Sequence, residues 1–240
     1  MPTWPEHAAS PRALLVHGAG GGGWEWNRWR AVFEAEGWQI DAPDLQPAAA
    51  GLEATELADY LDQLQAQCAK APPAALVGAS LGGLLCLALA ESWPGVPLLL
   101  VNPLPPLPEA GALPARPAYP LRVPWSSAGR YAGTHEDMPE SAGSARLFAF
   151  RHWRDESGRV LNAARSGLAL AVPAAPCLLI ASEDDADAPV ELSAALALRL
   201  RASLLRLPGG HLAPLLGDTA HQAAGHAVAW LNTSTGFRGN

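Results

Sequence analysis

Gly78-Ala79-Ser80-Leu81-Gly82 stands between the apolar run Pro73-Ala74-Ala75-Leu76-Val77 and the helical run Gly83-Leu84-Leu85-Cys86-Leu87-Ala88-Leu89-Ala90. A G-x-S-x-G pentapeptide is common, and a Gly-Ser loop in an alanine-rich chain is its bland alternative. A strand pattern before it and a helix pattern after it make it a nucleophile elbow. The chain must turn sharply there from strand into helix, which forces the serine into a strained conformation. Glycines two residues before and after remove the Cβ atoms that would collide across the turn. The Ser80 hydroxyl is then held out at the carboxyl edge of a sheet, at the amino end of a helix.

A second segment matches the first. Ala13-Leu14-Leu15-Val16 has the pattern of a buried strand and runs into His17-Gly18-Ala19-Gly20-Gly21-Gly22-Gly23. A glycine loop after a strand leaves backbone N–H groups free to face a ligand. If Ser80 attacks an acyl carbon, the developing oxyanion needs two such donors. The expected pair is the N–H of Leu81, just after the nucleophile, and that of Ala19 in the glycine loop.

The same loop satisfies G-x-G-x-x-G, and Asp41 ends the next strand pattern, Trp38-Gln39-Ile40, where a dinucleotide fold places its ribose-binding acid. Polyglycine matches many patterns by chance. Trp24, Trp26 and Trp29 are bulky at the start of the following helix, where close packing on the sheet favours small side chains, which counts against a dinucleotide site. No Lys-Ser or Lys-Thr closes the glycines, so a phosphate P-loop is excluded.

Partners for a serine nucleophile come late in the chain. The strand pattern Cys177-Leu178-Leu179-Ile180-Ala181 leads into Ser182-Glu183-Asp184-Asp185-Ala186-Asp187-Ala188-Pro189, and Leu204-Leu205-Arg206-Leu207 leads into Pro208-Gly209-Gly210-His211. The order is Ser, acid, His, with acid and base each just beyond a strand. His211 would take the serine proton, and a carboxylate would hold its tautomer and stabilise the imidazolium. The residues alone leave the acid open among Glu183, Asp184, Asp185 and Asp187, any of which could instead be solvated. His7, His135, His152, His221 and His226 have no comparable setting, and His17 is expected to be structural. No His or Cys spacing suggests a metal site.

With these segments together, the chain resembles the α/β-hydrolase family over nearly its whole length. The resemblance rests on His17-Gly18-Ala19-Gly20, Asp41-Ala42-Pro43-Asp44-Leu45, Gly78-Ala79-Ser80-Leu81-Gly82, Asp185-Ala186-Asp187-Ala188-Pro189 and Pro208-Gly209-Gly210-His211. The family often writes its acid as Asp, two residues, a small apolar residue and Pro, which implies Asp185. Some members carry the acid after the strand before the cap, but that position is Asn102, which cannot be a carboxylate. The tract to Trp24-Glu25-Trp26 is similar to the branch of plant methyl-ester esterases and hydroxynitrile lyases. Those lyases have a lysine after the catalytic histidine; here it is Leu212, and the only lysine is Lys70. Serine rather than aspartate at the elbow disfavours the haloalkane dehalogenase and epoxide hydrolase branches.

Bulk properties set outer bounds. A chain of 240 residues suits one α/β domain with an insertion. The net charge of −7 offers no footprint for nucleic acid or an anionic membrane. Cys68, Cys86 and Cys177 sit in apolar contexts and make no disulfide framework. Met1 to His7 has neither the basic region nor the apolar run of a signal peptide. Prolines 94, 97, 103 and 105 break the longest apolar stretches, so no membrane span is expected. A soluble, reduced, cytoplasmic protein is the expectation.

About six parallel strands are predicted, at Ala13–Val16, Trp38–Asp41, Ala75–Val77, Leu98–Val101, Cys177–Ala181 and Leu204–Leu207, with helices over Trp24–Glu36, Leu52–Ala69, Leu81–Trp93, Val190–Arg201 and Asp218–Leu231. Alternating strands and helices predict a parallel sheet covered on both faces. Residues 1–102 and 173–240 would form this core. Residues 103–172, proline-rich at first and then helical over Ala145–Trp153 and Arg159–Leu170, would form a cap lining the substrate pocket. Trp24, Trp125 and Trp153 are its candidate aromatic walls, although aromatic residues here more often pack cap onto core. Arg116, Arg122, Arg130, Arg151 and Arg154 could receive an anionic group or a carrier protein, but a solvated surface is the ordinary place for each.

The expectation is a serine hydrolase acting on a small-molecule carboxylic ester or thioester through an acyl-enzyme, with no cofactor implied. A lyase or cyclase of specialised metabolism is the alternative, since fold and triad do not fix the reaction. A nucleotide-binding oxidoreductase would rest on the glycine tract alone.

Overall fold

Apolar runs become strands wherever both faces can be covered. In the computed structural model, which describes residues 10–127, 130–139 and 141–237, the strands are β1 (Arg12–Val16), β2 (Gln39–Asp41), β3 (Ala75–Ala79), β4 (Leu98–Val101), β5 (Arg122–Val123), β6 (Glu156–Ser157), β7 (Cys177–Ser182) and β8 (Ser203–Leu207). The main sheet has the order β2-β1-β3-β4-β7-β8, with every neighbouring pair parallel. Residues 1–9, on which the signal-peptide expectation rests, lie outside the described residues.

The helices are α1 (Asn27–Ala35), α2 (Leu57–Lys70), α3 (Leu81–Leu89), α4 (Arg130–Asp137), α5 (Gly143–His152), α6 (Gly158–Ser166), α7 (Val190–Leu200), α8 (Ala213–Leu216) and α9 (Ala220–Thr235). Alternate strand residues point to opposite faces. Leu14, Val16, Leu76, Leu98, Leu100 and Leu179 meet side chains of α2, α3 and α7 on one face. Leu15, Val77, Leu99, Val101 and Ile180 meet α1 and α9 on the other. Burial on both faces is why these strands read as unbroken apolar runs.

Several boundaries differ from the sequence expectation. The first helix opens as a 3-10 turn, Gly23–Trp26, before α1. α2 begins at Leu57 because Glu56 and Asp59 cap it reciprocally, each side chain taking the other's backbone N–H. α3 stops at Leu89, before Pro94, and α9 starts at Ala220 and runs on to Thr235. The elements α4 and α8, and the antiparallel β5–β6 ribbon, were not expected: α8 and the ribbon strands are too short to show a period, and α4 is mostly polar, with Tyr131 and Ala132 its only apolar side chains.

The segment between β4 and β7 does not keep its apolar residues to itself. Val160 and Ala164 of α6 join the cluster on one face of the sheet, and Met138, Ala149 and Trp153 join the cluster on the other. It therefore bridges the carboxyl edge of the sheet, where the candidate site lies.

Candidate active site

Ser80 has φ 51° and ψ −117° and stands at the amino end of α3. Its backbone is tied on both sides: Ser80 N–H donates to the Val101 carbonyl at 3.0 Å, and the Leu104 N–H donates to the Ser80 carbonyl at 3.0 Å. A Cβ at Gly78 would overlap the Gly82 backbone, and one at Gly82 would overlap the Val16 carbonyl. Both glycines are thus required by close approach of main chain, and the strained turn is over-determined by its surroundings. Leu81 is the first residue of α3, so its N–H has no intrahelical carbonyl to donate to.

Asp185 and His211 meet across the ends of β7 and β8. Nδ1 of His211 lies 2.7 Å from Oδ2 of Asp185. Oδ1 of Asp185 accepts the N–H groups of Asp187 at 2.8 Å and Ala188 at 2.9 Å. The carboxyl is buried, 5 % exposed, while Glu183 and Asp184 face solvent. The carboxyl of Asp187 instead pairs with Arg116. Burial pulls the His211 pKa down, but the Asp185 charge and hydrogen bond, with Asp187 and Glu25 behind them, raise it above the ordinary histidine value. Asn102, the other position where an acid could have stood, donates to the His211 carbonyl at 2.7 Å and to Ser182 Oγ at 2.9 Å. It holds the loop after β8 through the His211 backbone.

Gly18, Ala19, Ser80 and His211 line one cavity of about 640 Å³. Among the described residues no hydrogen bond joins Ser80 Oγ to Nε2 of His211. Such bonds commonly tighten only when substrate is bound. Trp125 and Trp153 line the same cavity, together with Leu104, Leu161 and Leu215. Trp24 does not; it packs edge-on against Trp153, with ring centroids 5.0 Å apart, and against Phe148 at 5.8 Å. It joins the 3-10 turn before α1 to α5 and Trp153, behind the cavity wall.

The sequence assigned no role to Glu25, beside the glycine loop. Glu25 is 2 % exposed and lines the cavity. Burial pushes its pKa up to about 7, opposed by the Gly18 N–H, His211 and Arg154, and reinforced by Asp44. A lone carboxyl between Trp24 and Trp26 was the available signal. His17 is structural, as expected: its Nε2 accepts the Leu45 N–H at 3.0 Å, and burial lowers its pKa to about 4. Arg154 is not the solvated cation it was expected to be. Its guanidinium turns inward and donates to the carbonyls of Gly21 at 2.7 Å and Leu45 at 3.0 Å. Arg116, Arg122 and Arg130 each already pair with an aspartate. The carboxylate of Asp41, which a dinucleotide would need, is taken by Arg12 and by the Gln67 amide.

Asp185, Asp187 and His211 bring their ligand atoms within 4.8 Å of one another, close enough for a cation. The hydrogen bonds of Asp185 and the Arg116 pair of Asp187 already use those oxygens. No helix of the described residues is long and apolar enough to cross a membrane.

The model of the Alpha/beta hydrolase family matches residues 13–227. No curated protein matches the chain by sequence. Among solved structures, tomato methylketone synthase I with beta-ketoheptanoate is similar at TM-score 0.74 and 18% identity, over 95% of this chain and 99% of that one. Polyneuridine aldehyde esterase is similar at TM-score 0.70 and 16% identity, over 93% and 99%. A pyrethroid hydrolase from Sphingobium faniae is similar at TM-score 0.64 and 20% identity, over 91% and 97%. At these identities the likeness is one of fold.

Proposed function

The chain belongs to the alpha/beta hydrolase family, and from that premise we propose that it is a serine hydrolase cleaving a small-molecule carboxylic ester or thioester through an acyl-enzyme. The observation that carries this is the Asp185–His211 hydrogen bond, which opens on the cavity that Ser80 lines from its strained turn. Ser80 Oγ attacks the acyl carbon and passes its proton to Nε2 of His211. Asp185 holds the Nδ1 proton and stabilises the imidazolium. The N–H groups of Ala19 and Leu81 receive the oxyanion. Collapse expels the alcohol or thiol, which takes the proton from His211. Water, deprotonated by His211, then attacks the acyl carbon, and His211 returns that proton to Ser80 Oγ as the acid leaves.

A fluorophosphonate probe tests nucleophile and class together. Wild type should be labelled and should hydrolyse p-nitrophenyl butyrate. Ser80→Ala should escape labelling and lose about three orders of magnitude or more in kcat. Full activity in that variant would remove the serine mechanism.

A further inference from the structure

Ala19 lies between two glycines whose amides are already taken by buried carboxyl groups. Gly18 N–H donates to Oε2 of Glu25 at 3.0 Å, and Gly20 N–H donates to Oε2 of Glu156 at 3.0 Å. The two carboxyls are 2 % and 3 % exposed. The next amide, Gly21 N–H, closes onto the Gly18 carbonyl at 3.2 Å. Among the described residues the Ala19 N–H has no partner, and Ala19 lines the cavity beside Ser80.

The two carboxyls approach from opposite sides. Glu25 comes from the 3-10 turn before α1, and its other oxygen fills the space that a Cβ at Gly21 would occupy. Glu156 comes from β6, in the segment that bridges the sheet edge. Its Oε1 accepts Tyr60 OH at 2.7 Å and Ser157 N–H at 2.8 Å. Arg154 adds a backbone N–H to the Gly20 carbonyl at 2.7 Å and its Nε to the Gly21 carbonyl at 2.7 Å. A run of glycines is costly to hold in one conformation, and an oxyanion donor stabilises the transition state only if it is oriented beforehand.

We propose that Glu25 and Glu156 are positioning residues that fix the glycine loop from the core side and the cap side, so that of the Gly18, Ala19 and Gly20 amides only that of Ala19 is offered to the acyl oxygen. This rests on the acyl-enzyme reading above. The two residues differ in what they must supply. Glu25 offers one acceptor to Gly18, which a glutamine oxygen can replace. Glu156 accepts on both oxygens, so a glutamine there must turn its NH2 toward at least one donor. Glu25 also faces His211, Arg154 and Asp44, and its charge raises the His211 pKa.

The experiment uses the full chain, p-nitrophenyl butyrate and four variants, Glu25→Ala, Glu25→Gln, Glu156→Ala and Glu156→Gln, with folding checked by circular dichroism. Glu25→Ala, Glu156→Ala and Glu156→Gln should lose about 10- to 100-fold in kcat with KM within about twofold, as expected when transition-state contacts are loosened. Glu25→Gln should restore most of the kcat that Glu25→Ala loses, and the acid limb of its pH profile should move to lower pH. Amide hydrogen exchange on wild type, needing no substitution, should show Gly18 and Gly20 protected and Ala19 unprotected until phenylboronic acid is added. The inference is overturned if kcat is unchanged in the alanine variants, if the losses fall on KM alone, if Glu25→Gln fails to rescue a folded Glu25→Ala, or if Ala19 is as protected as its neighbours without the boronic acid. A wild type that neither hydrolyses the ester nor labels at Ser80 would instead overturn the hydrolase reading itself.

Discussion

The carboxylate of Asp185 binds Nδ1 of His211 at 2.7 Å with one oxygen and two backbone amides, at 2.8 and 2.9 Å, with the other. An asparagine cannot serve both ends. Its NH2 must face either the backbone donors or Nδ1, and in the second case it imposes the wrong tautomer. Asp185→Asn should therefore lower kcat by about three to four orders of magnitude. Glu183→Gln and Asp184→Asn, on exposed positions, should change it by less than about threefold. Steady-state rates on p-nitrophenyl butyrate rank them.

The pH profile should have its acid limb above the ordinary histidine value. The Asp185, Asp187 and Glu25 charges outweigh the effect of burial on His211. As the proposed general base, His211 must be neutral, so activity should be lost as pH falls through this raised pKa. Asp187→Asn removes one of those charges and should shift the limb to lower pH. A kcat/KM profile of the two proteins measures the shift, and an unmoved limb would show that Asp187 does not act on His211.

Glu25 should make the fold less stable as pH rises. Its pKa goes from 4.5 to about 7 on burial, so the folded state favours the neutral acid. That contribution is fully present below 4.5 and is lost as pH rises through about 7. A shift of this size corresponds to a few kcal/mol, on the order of 3. Glu25→Gln has no such group. Between about pH 5 and pH 8 its urea midpoint should fall less than that of wild type.

Trp125 and Trp153 both line the cavity, but they should respond differently to truncation. Trp153 is 8 % exposed, donates its Nε1–H to Thr134 Oγ1 at 3.0 Å and packs on Trp24. Trp153→Ala should cost about 3–5 kcal/mol of stability. Trp125 is only partly buried and covers the face of Gly20. Trp125→Ala should leave the melting temperature nearly unchanged and alter the ratio of rates on short and long p-nitrophenyl esters. An unaltered ratio would exclude Trp125 from the acyl pocket.

Asn102 should matter to His211 through its backbone rather than its ring. It is 1 % exposed, at φ 42°, and bonds the His211 carbonyl, Ser182 Oγ and the Ser182 N–H. Asn102→Ala would leave these groups unpaired, at about 1–3 kcal/mol for each buried one. It should lower both the melting temperature and kcat. Asn102→Asp sets a carboxylate oxygen against the His211 carbonyl and should not restore either.

The sheet, its helices and the elbow were legible in the chain because their causes are local. A parallel strand buried on both faces must be apolar at every position, as Leu98–Val101 is. A strained serine turn must carry small residues at Gly78 and Gly82, where main chains nearly touch. Asp185 was less legible, since four acids stand within five residues and only the fold decides which one reaches His211. The hold on the glycine loop was not legible at all. Gly20 and Glu156 are 136 residues apart, and Tyr60 and Glu156 are 96 apart. No period or motif records such pairings. Burying a carboxyl is affordable only where donors converge on it, and that convergence exists only once the chain has brought β6, α2 and the loop after β1 to the same edge of the sheet.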